Sequence, residues 1–145
     1  MAGLKTISVT ANLGTGTTVT ADIRDHKVAI DQPIAAGGKN EGPSPLEYFL
    51  FSLAGCIGSI ARIAAMQQRI ELRGMEIKVD ASYNPAGLLG KPTEDRIGFQ
   101  VITVDASIDA DLDEAAKQVF LDAVCDRCPL HENIKLETRV DHQLI

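Results

Sequence analysis

The sequence contains no tryptophan, and phenylalanine and tyrosine together make up 4% of its 145 residues. A core built from this chain has to be aliphatic, drawn from its Ile, Leu, Val and Ala. Basic residues are also few, 14 Lys and Arg against 20 Asp and Glu, for a net charge of −6. They are scattered, which argues against nucleic-acid binding, because phosphate neutralisation needs clustered cations. The opening residues, MAGLKTISVTANLGTG, lack the continuous apolar run of a secretory signal. Cysteine is limited to an odd three, Cys56, Cys125 and Cys128. That count without an export signal points to a reducing, cytoplasmic setting and to thiols that are free or reactive rather than structural. A Gly-rich phosphate loop, an HExxH pair and a GxSxG elbow are missing as well, which removes the common nucleotide, zinc-protease and hydrolase signatures.

What is present is one chain of ordinary apolar content, 45%, of a length that suits a single domain over residues 1–145. Lys5–Ala11, Thr17–Arg24 and Lys27–Asp31 alternate polar and apolar residues, which predicts an antiparallel meander over residues 4–31 with a tight turn at Asp25-His26. Gly and Pro mark 33–45 as a loop. Ser44, Pro45 and Glu47 then form a helix-start signal, and a helix is expected over 45–69. Its segment 46–66 is long enough for a bilayer, but Glu47 and Arg62 interrupt it and no aromatic belt frames it. A buried core helix is the preferred reading, and no membrane partner is expected.

A β-β-α-β segment is expected over 74–144. Its strands fall at Met75–Tyr83 and Ile97–Ile108, separated by a loop at Asn84–Asp95. A helix follows, started by Asp111 and Glu114 and ended by Pro129, and Ile134–Leu144 closes the chain as a strand. Two helices among antiparallel strands give an α+β fold.

The chemistry-bearing residues are the cysteines. Cys56 falls mid-helix on a stripe of small residues with Ser52, Gly55 and Ser59, a pattern that admits a close helix crossing. Packing alone could explain it. Cys125-Asp-Arg-Cys128 lies at the end of the second helix, where the helix dipole disfavours a thiolate. With His131 it forms C-x2-C-x2-H, a partial zinc pattern. His26 and His142 read as solvated side chains.

Gly42-Pro-Ser-Pro-Leu-Glu47, the helical Ala54-Gly-Cys56 and the later Cys128-Pro129, with Asp31-Gln-Pro33 and Gly37-Gly38 upstream, resemble the osmotically inducible protein C and organic hydroperoxide resistance family, OsmC/Ohr. The resemblance covers nearly the whole chain. It implies antiparallel sheets around two central helices in an intertwined homodimer. It also implies a Cys-based peroxidase without a metal or organic cofactor, in which Cys56 attacks a hydroperoxide, Cys128 resolves the sulfenic acid, and an external dithiol reduces the disulfide.

The family's thiolate-activating Glu directly follows the Pro that opens the helix, where this chain has Leu46; Glu47 comes next, nine residues before Cys56. At about 100° per residue, nine steps put Glu47 on the far side of a straight helix from Cys56. The nearest candidate for the family's upstream Arg is Arg24. Glu47 and Arg24 are thus the implied auxiliary residues. The alternative is a non-catalytic OsmC-like protein that binds a small ligand or senses thiols.

Overall fold

A computed structural model describes residues 3–145, which form two compact units dividing after Phe49. The fold is α+β, with two antiparallel sheets and four α-helices among the described residues.

In the first unit β1 (Ala11–Leu13), β2 (Val19–Ile23) and β3 (His26–Ile30) form a meander in the order β1-β2-β3. The Ile23↔His26 pair places the two-residue turn at Arg24-Asp25, one residue earlier than the alternation suggested. Arg24 has φ 54, and a positive φ at the first turn position matches the twist of the flanking strands. Pairing of β1 begins at Ala11↔Ala21, and β2 ends two residues further on. Residues before Ala11 therefore have almost no strand to pair with, and Ile7 and Val9 of the expected first strand are exposed.

The loop after β3 is organised by Asp31, 1% exposed. Its carboxylate accepts the hydroxyls of Thr17 and Thr18 at 2.7 and 3.0 Å, and the backbone N–H groups of Gln32, Lys39 and Glu41 at 2.8, 3.2 and 3.2 Å. Those donors hold the carboxyl well below the usual carboxylate range, Thr17 most strongly, against the opposing effect of burial. The loop, which includes a 3-10 turn at Ile34–Ala36, folds back so tightly that a Cβ on Gly38 would enter the backbone of Gln32, and one on Gly42 the carbonyl of Ala29. It delivers the chain to α1 (Pro45–Gln68). There Ser44 and Glu47 make the reciprocal capping box: the Glu47 carboxylate accepts the Ser44 N–H at 2.7 Å, and Ser44 Oγ accepts the Glu47 N–H at 3.2 Å.

The second unit contains the rest of α1, β4 (Gly74–Ser82), the short α2 (Pro85–Leu88), β5 (Val101–Asp109), α3 (Glu114–Asp126) and α4 (Pro129–Lys135). β4 and β5 pair along their whole length, so Met75, Ile77 and Val79 share a face with Ile108, Ala106 and Val104. That face meets Leu53, Ile57, Ala61, Ala64 and Ala65 of α1 and Phe120 and Val124 of α3 in one aliphatic core. Gly58 of α1 faces β4, where a Cβ would meet Ile77 Cδ1 at 3.4 Å, an ordinary contact distance.

Several expected boundaries shift for identifiable reasons. Asp113, not Asp111, caps α3 by accepting the Ala116 N–H at 2.8 Å, while Asp111 pairs with Arg73 at 3.0 Å. Pro129 does more than stop α3: it starts α4, so the expected closing strand at Ile134–Leu144 does not form, and residues 137–145 are exposed and irregular. The other expected loop holds α2, capped by Asn84.

α1 is long and apolar enough to cross a membrane by length and composition. Its exposure is one-sided, however. The Leu53, Ile57, Ala61, Ala64 and Ala65 face is buried, whereas Phe51, Ile63 and Met66 are 70, 47 and 73% exposed. The expectation of burial all round is thus corrected to burial on one face in the single chain. Ser52, Gly55 and Ser59, expected at a helix crossing, lie on the outward side.

Candidate thiol site

Two local features bring sulfur atoms together. On α1, Cys56 borders the buried Ile57 and Leu53 face and is half-buried. At the other end of the unit α3 finishes at Asp126, with Arg127 as its C-cap. Pro129 has no N–H to continue that helix, and it pushes the residue before it into extended backbone. Cys128 accordingly has φ −84 and ψ 115 and caps the N-terminus of α4. This turns its side chain into the core, leaving the residue 1% exposed.

The outcome is a close pair of free thiols, with Cys128 Sγ donating to Cys56 Sγ at 2.9 Å across 72 residues of sequence. Backbone donors complete the setting. The His131 N–H points at Cys128 Sγ at 3.4 Å, and the Leu130 N–H supports negative charge on Cys56. The C-x-x-C expected at one helix end thus straddles two helices: Cys125 lies in the last turn of α3, and Cys128 caps the start of α4.

Burial pushes the Cys56 thiol above its ordinary value, and the adjacent Cys128 adds to this; the Leu130 N–H opposes both. Burial likewise raises Cys125, helped by Cys128, Asp122 and Asp126. Arg127, the one local cation visible in the sequence, donates to Gln67 Oε1 at 3.0 Å. Two mutually adjacent thiols can be joined by an oxidant with little backbone change. As an isolated nucleophile, by contrast, Cys56 is weakly ionised at neutral pH.

The other sequence candidates sit as follows. Glu47 is engaged in the capping box described above. Arg24 lies in the β2–β3 turn rather than on strand two, with Nη2 3.4 Å from His26 Nε2. Cys125, Cys128 and His131 do not form a metal set: among the described residues no group of three or more His, Cys, Asp or Glu could hold a metal ion. His142 lies in the exposed terminal segment. Sequence reasoning missed the N–H donors of Leu130 and His131, whose only signal is the Cys-Pro step that starts a helix. It also noted Asp31 without seeing that the residue is buried and organises a loop.

The OsmC-like protein family model matches residues 38–143, well over half of the chain. No curated protein matches in sequence. Among solved structures, an OsmC-like protein from Mycoplasma pneumoniae superposes with a TM-score of 0.77 at 25% identity, covering 90% of this chain and 88% of that one. The organic hydroperoxide resistance protein OhrB of Bacillus subtilis gives 0.62 at 27% identity, covering 93 and 94%. An organic hydroperoxide resistance protein OsmC from Legionella pneumophila shares the fold, with a TM-score of 0.68 at 21% identity and 92% coverage of both chains.

Proposed function

This chain belongs to the OsmC-like protein family, and from that premise we propose that it is a thiol-dependent peroxidase reducing organic hydroperoxides or hydrogen peroxide. In this reading residues 1–145 act as one OsmC-like domain. The Cys56 thiolate attacks the distal peroxide oxygen, the O–O bond breaks, and alcohol or water leaves. Cys128 then attacks the Cys56 sulfenic acid, expelling water and forming a disulfide, and an external dithiol returns both sulfurs to thiols. The observation that carries the proposal is the 2.9 Å separation of the two sulfurs, which lets the second step proceed without rearranging the fold. The kinship with hydroperoxide resistance proteins supports the substrate class.

The first step needs a thiolate, and burial works against one. A positive charge brought near Cys56 would offset that burial. We assign that role to Arg24, oriented by Glu47, in the assembled protein. We further propose a cytoplasmic homodimer, in which a second copy covers the outward apolar side of α1 around Phe51 and Met66. The raised Cys56 thiol is the observation that favours the second reading, a non-catalytic OsmC-like protein that binds a small ligand or senses thiols.

The test is consumption of tert-butyl hydroperoxide in the presence of a dithiol. Wild type should turn over, and Cys56→Ser should not. Equal rates in the two would remove the peroxidase reading.

A further inference from the structure

Cys125 has no part in the cycle above, yet it lies three residues from Cys128 and is not isolated from it. It packs against the same core that holds Cys128, and its thiol is raised partly by the charge of Cys128. The Cys128 N–H donates to the Cys125 carbonyl at 3.1 Å, closing a turn over residues 125–128. Such a turn keeps its end Cα atoms within about 7 Å, and a disulfide spans roughly 4.4–6.8 Å, so the backbone separation is compatible with a bridge between Cys125 and Cys128. The two sulfurs differ in access. Cys128 is 1% exposed, whereas Cys125 is partly exposed and lines an open surface cavity with Val104, Leu121, Asp122 and His131. A dithiol approaching from that side meets Cys125 and not Cys128.

We propose that Cys125 is an exchange thiol that takes Cys128 over from the Cys56–Cys128 disulfide and carries the oxidation to the surface cavity, where an external dithiol reduces it. The proposal rests on the disulfide of the peroxidase reading. In the exchange, the Cys125 thiolate attacks Cys128 Sγ, the Cys56–Cys128 bond breaks, and Cys56 leaves as a thiolate that takes up the proton Cys125 released. No electrons enter or leave at this stage. The external dithiol then attacks the Cys125–Cys128 bond at the exposed Cys125 sulfur. It supplies two electrons and two protons and is itself oxidised to a disulfide. One consequence is that Cys56 is regenerated before the reductant arrives, so a second hydroperoxide can be met while the first oxidation is still held on the other pair.

The sequence makes the exchange readable, because trypsin cuts after Arg127 and separates the two cysteines. Wild type is oxidised with one equivalent of tert-butyl hydroperoxide, quenched by alkylation at increasing delays and digested. The first linked pair should be peptides 40–62 and 128–135. It should be replaced in time by 118–127 linked to 128–135. Reduction of the loaded protein by dithiothreitol should be at least about tenfold slower in Cys125→Ser and in Cys125→Ala than in wild type. Absence of the 118–127 and 128–135 pair at every delay, or reduction of wild type and variants at rates within about twofold, overturns the exchange. If tert-butyl hydroperoxide leaves the thiols intact, the peroxidase reading falls. The exchange is then judged on protein loaded with diamide, by the same peptides and rates.

Discussion

Oxidation should stabilise this protein by an amount that its chain connectivity sets. A Cys56–Cys128 bridge closes a loop of 72 residues between sulfurs that are already neighbours, so little native strain offsets the gain. Loop-closure entropy for that length amounts to about 4 kcal/mol at 25 °C, as an upper figure for an unstructured denatured chain. For a chain of this size that corresponds to a rise in Tm of roughly 10 °C or more. A bridge between Cys125 and Cys128 closes a far shorter loop and contributes about 1.5 kcal/mol on the same scale. The size of the shift therefore reports which pair is joined.

The assay is urea unfolding followed by far-UV circular dichroism on fully reduced protein, on protein treated with one equivalent of oxidant, and on Cys56→Ser treated likewise. The large shift is expected where the 56–128 bridge is held, as in Cys125→Ser treated likewise; wild type should fall toward the small shift as the bridge passes to Cys125. Cys56→Ser retains Cys125 and Cys128 and should show at most the small one. An oxidised wild type no more stable than the reduced form, with the 56–128 linkage confirmed by mass, would mean that joining the sulfurs distorts the native packing. The 2.9 Å proximity would then carry no mechanistic weight.

Four further outcomes follow from the packing and the charges. Ile57, 0% exposed, lies beside Cys56, and Ile57→Ala removes about 2.5 kcal/mol of transfer energy and adds a cavity, for a loss of about 2–5 kcal/mol in urea unfolding; a loss below about 1 kcal/mol would show that this face of α1 is not the core. Gly42→Ala places a methyl group inside the carbonyl of Ala29 and should cost about 1–3 kcal/mol in the same measurement. Asp31 binds its proton more weakly folded than unfolded, so the stability it contributes is complete above about pH 4 and is lost as pH falls toward its folded value; Asp31→Asn should lower the Tm at pH 7 and flatten the acid limb of a Tm-against-pH series. Met66→Asp, on the outward side of α1, should leave a folded chain of half the wild-type mass by sedimentation, whereas an unchanged mass would remove α1 from the dimer contact.

The parts of the fold legible in the sequence were those with a local physical cause. The Ser44–Glu47 box and Pro45 fixed the start of α1, and the alternation Met75-Ile77-Val79 fixed the core face of β4, because caps and periodicity act over a few residues. The errors came where a partner decides. Lys5–Ala11 alternates as well as any strand here, but β2 is too short to receive it. Ile134–Leu144 has strand-like composition, yet Pro129 commits the chain to α4 just before it. In the sequence, Cys56 and Cys128 are candidate site residues on the strength of a resemblance. Their 2.9 Å approach spans the whole unit and leaves no trace in local pattern, and neither does the network of hydroxyl and amide donors around Asp31.

The electrostatics at Cys56 limit how the site can work. A thiol placed at the margin of an aliphatic core gains packing and loses acidity, and the second sulfur beside it pushes the same way. One backbone N–H, from Leu130, opposes them. A fast peroxidatic cysteine needs the thiolate at neutral pH, so an added positive charge near Cys56 has to outweigh both. This sets two measurable regimes. Without such a charge, alkylation of Cys56 by iodoacetamide should climb about tenfold per pH unit between pH 7 and 8.5, because each unit multiplies a small thiolate fraction. With Arg24 acting in the assembled protein, the rate should be level across that range, and Arg24→Ala should restore the climb. A climbing profile in wild type that Arg24→Ala leaves unaltered would remove Arg24 from the mechanism and favour the non-catalytic reading.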